Sequence, residues 1–216
     1  MKAAEVIKTK GEITRAIILQ AALQQASVSG FESLTIGTLA EQTGLSKSGL
    51  FAHFGSKEEL QLAALDESVA RFNQIAFVPA LAAARGLPRM RALFKNWLEW
   101  TSAGELVTCP LMAASAEFDR RDGAMRDAVE KHLRRLNIEC MKMIDLAVQV
   151  GDFAPDTDIE QMAFELFGII ASCNRARNLF RDKSATKRAL IAFERLVASA
   201  CTPIPAAKVS KANKFN

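Results

Sequence analysis

Between Gly30 and Ser56 the chain stops and restarts helix three times: Gly30 then Thr35, Gly44 then Ser46, Gly55 then Ser56. Glycine ends a helix because it enters the left-handed backbone region cheaply, and Ser or Thr starts one by accepting a bond from an exposed N–H. The alternation cuts this stretch into short helices over about 35–43 and 46–54, after a first helix over about 10–29. Ile13, Ile17 and Ala21, with the adjacent Ile18 and Ala22, form the expected inner face of that first helix, and Phe31 is an apolar plug after its stop. A long helix follows, with Glu59 three residues after Ser56 in capping-box position. Ala40 sits four residues before Gly44, where two helices must approach closely. Leu50 and Phe54, four apart, share the inner side of the third helix, and Ser48 and Ala52 project from the opposite side. Three short helices with a glycine turn between the second and third have the outline of a DNA-reading module, although a plain packed helix pair shares that outline.

The rest of the chain is helical in texture too. Half of its 216 residues are apolar, Tyr is absent, and 11 Gly and 6 Pro are few for its length. Beyond about Ala76 the helices lengthen, broken at Pro79, Gly86-Leu87-Pro88, 104–110, 119–123, 151–155 and 181–184. The expected fold class is all-α, with about nine helices. Residues 10–56 form a helix-turn-helix unit, residues 57–203 a larger helical region, and residues 204–216, with no periodic face and three lysines, a disordered tail. A net charge of +4 and a pI near 9.0 permit a polyanionic partner without requiring one. No apolar run is long enough to cross a membrane, and the N-terminus lacks the apolar core of a signal peptide, so the expected location is the cytoplasm. Cys109, Cys140, Cys173 and Cys201 are widely separated and read as reduced thiols. The two histidines lie far apart, so no metal site and no cofactor are expected.

The stretch TRAIILQAALQQASVSGFESLTIGTLAEQTGLSKSGLFAHFGSKEEL resembles the N-terminal domain of tetracycline-repressor-like (TetR/AcrR) transcriptional regulators. The resemblance covers about Thr14 to Leu65. It is carried by Ala21, Ala22, Gly30 and Phe31, by the T-x-x-x-L-A-x-x-x-G-L-S run from Thr35 to Ser46, and by L-F-x-H-F-x-S-K-E-E-L from Leu50 to Leu60. It implies that the third helix lies in the major groove of an operator, with Lys47 and Ser48 near base edges; Lys can donate to guanine and Ser can bond several bases. Gly49 and Ala52 then permit close approach. Thr35, Ser46, His53 and Lys57 are implied phosphate contacts, although Thr35 and Ser46 also serve as caps and Lys57 also reads as a surface charge. The family usually has Tyr where this chain has Phe51. The ring can still pack on the sugar-phosphate backbone, but the hydroxyl's phosphate bond is lost, at a cost of about 1 kcal/mol.

The resemblance further implies a homodimer and a small-molecule effector. A single reading helix touches few bases, and two copies must sit about 34–36 Å apart on a pseudo-palindrome. Helices over 158–180 and 186–199 offer Phe167, Ile170, Phe193 and Leu196 for a four-helix dimer interface, or for the core of one chain. Trp97, Trp100, Met112, Phe118, Met143 and Phe164 are candidates for an apolar effector pocket, with Glu105, Glu117, Asn174 and Arg177 as orienting polar groups. The resulting reading is a ligand-responsive repressor released from DNA by a small, largely apolar molecule. Two alternatives stand beside it: a thiol sensor working through Cys109, which precedes Pro110 at a helix start where a thiolate is stabilised, and a chromosome-associated DNA-binding protein without ligand. No nucleophilic triad, phosphate loop or metal cluster supports an enzyme.

Overall fold

The computed structural model describes residues 9–100, 106 and 108–201. Among these the chain is all α-helical and has no strand. α1 spans Lys10–Ser29, and a single 3-10 turn, Phe31–Ser33, leads from it to α2, Ile36–Thr43, and α3, Lys47–His53. α4, Lys57–Phe72, runs on through a π-helical turn, Asn73–Phe77, into a last turn, Val78–Ala80. The remaining helices are α5 (Leu87–Trp100), α6 (Pro110–Phe118), α7 (Ala124–Gln149), α8 (Ile159–Asn178) and α9 (Ala185–Ala200). Counted this way, the described residues hold the nine helices expected.

The stop-and-start chemistry operates as the sequence implies at Gly30 and Gly44, whereas α3 ends at His53 with Phe54 already extended and Gly55 outside the left-handed region. Thr35, Ser46 and Ser56 each accept the N–H three residues on, at 3.1, 3.0 and 3.0 Å. Gly44 takes the left-handed conformation that the turn between α2 and α3 needs, with φ of 69°. One detail differs: the Glu59 carboxylate accepts the N–H of Gly55 at 3.0 Å, one residue before the cap. A complete reciprocal box closes instead at the start of α1, between Thr9 and Glu12.

The inner face of α1 matches the expected one in part: Ile18 and Ala22 are buried and Ala21 packs against the core. Its buried residues are Ile18, Leu19, Ala22, Leu23, Ala26 and Ser27, and Ile13 and Ile17 are half exposed. The buried positions begin at Ile18, about midway along the helix, and run to Ser27 near its C-terminal end.

Pro79 was expected to separate two helices, and the chain instead absorbs it. A proline offers no N–H and crowds the carbonyl four residues back. The backbone widens before it, so that the N–H of Val78 bonds the Asn73 carbonyl five residues earlier. Asn96 of α5 donates to the Ala76 carbonyl at 3.0 Å, which ties the widened turn to its neighbour.

One apolar core runs from the short N-terminal helices into the long C-terminal ones. Its centre is aromatic: Trp97 meets Phe72 and Phe167 edge-on, with ring centroids 5.1 and 5.5 Å apart, and Phe94 stacks on Phe193 at 4.1 Å. This arrangement corrects the expected dimer contacts. Ile170, Phe193 and Leu196 are buried in the chain's own core, and Phe167 is half-buried against Trp97. The spacing within each helix identifies an apolar side without saying what covers it. The large apolar groups left outside on this pair are Phe164 on α8 and Leu190 and Ile191 on α9.

Phe193 and Phe164 therefore respond oppositely to truncation. Phe193→Ala opens a cavity beside Phe94 and is expected to cost about 3–5 kcal/mol. Phe164→Ala, 73 % exposed, is expected to stay within about 0.5 kcal/mol of the parent when protein dilute enough to be a single chain is unfolded. Urea unfolding followed by circular dichroism compares the two.

Candidate nucleic-acid interface and internal cavity

α3 is held from below and bare above. Leu50 and Phe54 are buried, and the Arg15 guanidinium of α1 lies over the Phe54 ring at 5.1 Å. Lys47, Ser48, Phe51 and Ala52 are exposed on its outer side, and Gly49 and His53 are half-buried. The outward Phe51 ring is unusual, since an apolar ring in water gains nothing unless something covers it. Ser46 accepts the Gly49 N–H and sits 3.1 Å from the Ser48 hydroxyl. Thr35 caps α2 at the edge of the same surface, and Lys47 extends past the first turn of α2 beside Gly37.

Lys57, an implied phosphate contact that also reads as a surface charge, is engaged within the chain. Its Nζ donates to the Glu32 carbonyl at 2.8 Å and pairs with the Glu32 carboxylate at 3.4 Å. Glu32 also pairs with Arg121, at 3.3 Å. These acidic and basic partners, from three separate parts of the chain, had no local signal in the sequence.

The long helices enclose a cavity of about 370 Å³. Two walls are helical faces: Ser68, Val69, Phe72, Asn73, Phe77 and Val78 from α4 and its π turn, and His132, Arg135, Leu136 and Glu139 from α7. Trp97, Cys109, Leu111 and Met112 complete the lining. Both walls show spacings of three and four that the sequence contained, but such spacing does not tell which of a helix's two apolar edges faces a void. His132 is oriented by Asp66 of α4, whose carboxylate lies 2.8 Å from its Nε2.

Of the ten expected pocket residues, the structure brings Trp97 and Met112 to this cavity. Trp100 is buried beside Phe72 rather than lining the space. Phe118 is buried under the Arg121 guanidinium. Met143 packs into the core with Phe94 and Phe193. Phe164 stands outside, on an open groove with Leu133 and Met141. Asn174 and Arg177 bond each other at 3.2 Å, away from the cavity lining. Glu105 lies outside the described residues, and Glu117 points to the N-terminal helices instead. The common cause is helix rotation: size and period place a residue on a buried side, and the packing partner decides whether that side meets a neighbour or a space.

Cys109 does start α6, but burial pushes its thiol up, against smaller lowering contributions from neighbouring hydrogen bonds. That is opposite to the lowered thiol a sensor needs. Cys140 is pushed up to about 12 by the same cause. Among the described residues no group of acidic, histidine or cysteine side chains is arranged to hold a metal.

With this geometry in view, the comparisons with known proteins are decisive. The sequence pattern described as "Tetracyclin repressor-like, C-terminal domain" matches residues 86–193, and that described as "Bacterial regulatory proteins, tetR family" matches residues 18–64. The chain belongs to the TetR family. It is therefore a transcriptional regulator with an N-terminal helix-turn-helix, and not an enzyme. One curated relative, the HTH-type transcriptional repressor AcnR of Corynebacterium glutamicum, is 39 % identical over 62 residues, covering 29 % of this chain. The match spans about a third of that relative's own length, 33 %. Among solved structures, a TetR-family regulator from Cytophaga hutchinsonii superposes with a TM-score of 0.78 at 18 % identity, covering 91 % of this chain and 98 % of its own. Another from Chloroflexus aurantiacus gives 0.75 at 23 % identity, covering 88 % and 94 %. At these identities the likeness shows the shared fold.

The burial of this TetR-family chain's thiols makes a chemical prediction. A thiol reagent at neutral pH is expected to modify half-buried Cys201 first. Cys109, Cys140 and Cys173, all buried, should react only on unfolding. Mass spectrometry of the partially labelled protein reads the order.

Proposed function

We propose that this TetR-family regulator is a homodimeric repressor that leaves a pseudo-palindromic operator when a small, largely apolar molecule binds its cavity. Residues 10–56 form the reading head in this view, residues 57–203 the effector-binding and dimerising body, and the protein works in the cytoplasm; no helix among the described residues is long and apolar enough to cross a membrane. The observation that carries the reading is the outer side of α3, where Lys47, Ser48, Phe51 and Ala52 stand clear while Leu50 and Phe54 anchor the helix. A helix anchored in this way loses little backbone freedom on entering a groove. Lys47 and Ser48 read base edges, Gly49 and Ala52 allow close approach, and Phe51 packs on the backbone. His53 and the hydroxyls of Thr35 and Ser46 contact phosphates, and Lys57 joins them from its place beside Glu32. That AcnR is named a repressor supports repression over activation.

The cavity supports control by a ligand over a chromosome-associated role without one. Its size lies at the lower end of small-molecule sites, about 300–1,000 Å³. Its lining is mainly apolar, and Asn73, His132 and Arg135 offer a few polar contacts at its edge. Because α4 begins at the reading head and ends as the cavity wall, an occupant that prefers a different tilt of α4 shifts the population away from operator spacing. The dimer forms through α8 and α9, on the faces that leave Phe164, Leu190 and Ile191 outside.

An operator selected from a random DNA pool tests the assignment. Lys47→Ala is expected to lower affinity at fixed salt at least about tenfold and to relax preference at one position of each half-site. Unchanged affinity and preference would remove Lys47 from base readout. Phe51→Tyr restores the missing hydroxyl and is expected to tighten binding by about 1 kcal/mol. Both are read by electrophoretic mobility or fluorescence anisotropy.

A further inference from the structure

α6 starts at the cavity and ends on the reading head. Cys109, Leu111 and Met112, at its first turn, line the cavity. At its far end the two carboxylate oxygens of Glu117 accept the N–H groups of Phe31 and Glu32, at 2.8 and 2.7 Å. These are the first amides of the 3-10 turn that joins α1 to α2, and they have no partner within their own short helix. The approach is so close that a Cβ on Gly30 would lie 2.8 Å from the Glu117 oxygens. Gly30 also has φ of 82°, so this corner needs glycine twice over.

The same two residues are held from the other side. The buried Gln61 of α4 donates to the Phe31 carbonyl at 2.8 Å, and Lys57 donates to the Glu32 carbonyl at 2.8 Å. The Glu32 carboxylate stands between Lys57 and Arg121, just past the end of α6. The corner thus gathers the body, α4 and a cation assigned to DNA phosphate at one dipeptide.

We infer that Glu117 is a positioning residue for DNA binding: through it the cavity wall sets the place of the α1–α2 corner, and with it Glu32 and Lys57. This rests on the proposal that the cavity controls the regulator, and it adds a path separate from the tilt of α4. A helix transmits displacement well because its hydrogen bonds run along its axis. Leu111 and Glu117 are less than two turns apart, about 9 Å at 1.5 Å per residue. An occupant pressing on Leu111 and Met112 therefore shifts the carboxylate against Phe31 and Glu32. Two short bonds of this kind tolerate little movement before they break. In the DNA-binding state the clamp is closed; in the released state it is open.

The test uses the full-length protein, the selected operator, and a cavity-filling variant, Leu136→Trp, in place of the unidentified effector. Leu136 lies on α7, so the substitution leaves the sequence of both connecting helices unchanged. Both Glu117→Ala and Leu136→Trp are expected to lower operator affinity about tenfold. In both, the Phe31 and Glu32 amides should exchange hydrogen faster than in the parent. The double variant is expected to be no weaker than the weaker single one, because both changes open the same clamp. Glu117→Gln keeps one acceptor oxygen and should fall between parent and Glu117→Ala, which also serves if the alanine variant folds poorly. Fully multiplied losses in the double variant would make Glu117 a static brace and overturn the inference. So would lowered affinity in Leu136→Trp with unchanged exchange at Phe31 and Glu32; cavity control would then stand, routed through α4 alone. Should Leu136→Trp change neither quantity, the cavity proposal falls, and the clamp loses its input.

Discussion

The corner at Gly30, Phe31 and Glu32 holds this molecule together as one piece. The Phe31 ring is fully buried, and the backbone on either side of it is bonded to elements distant in sequence. Amides that would otherwise be unsatisfied are taken by Glu117 of α6, and a carbonyl is taken by Gln61 of α4. A buried polar group without a partner costs roughly as much as a hydrogen bond is worth, often more. The short reading helices therefore cannot swing freely on the body. Their orientation is set by the same contacts that complete the core.

From that corner two helices lead into the body, and they differ in kind. α4 is covalently continuous with the reading head and passes along the cavity before its π turn. That turn exists because Pro79 cannot be accommodated in ordinary α-helical register. It places Asn73 and Phe77 at the cavity wall. α6 has no direct covalent link to the reading head and meets it through side-chain hydrogen bonds and an ion pair. A covalent connector transmits rotation at all times, whereas a hydrogen-bonded one can let go. The pair gives the fold one covalent and one hydrogen-bonded link between the cavity and the helix-turn-helix.

Much of the reading head was legible because its determinants are local. Gly44, Ser46, Leu50 and Phe54 act on residues within one helical turn, so their spacing carries the geometry with it. The same held for Thr35 and Ser56. Less was legible in α1, where Ile18 and Ala22 are buried as expected while Ile13 and Ile17 fit the apolar period and stay half exposed. In the body, Phe193 and Phe164 look alike as letters: each is a large apolar residue at helical spacing. One stacks on Phe94 and the other faces outward. Ile170 and Leu196 were placed on an outer face for the same reason, and seven of the ten expected pocket residues lie away from the cavity, Glu105 being outside the described residues. The partners Glu32, Glu117 and Arg121 were beyond reach, since an ion pair across such sequence distances leaves no periodic trace.

The sequence by itself determined the helices, their ends, and the identity of the side chains on α3, because capping and helical period are short-range and act before any tertiary contact forms. It also determined the family, through motifs whose spacing reflects those same local rules. The tertiary structure decided which apolar faces meet, where the packing leaves a cavity, and that Glu117 reaches back to Phe31 and Glu32. Those outcomes depend on how each helix is rotated about its axis. That rotation is settled by the joint packing of all the helices, and no single segment encodes it.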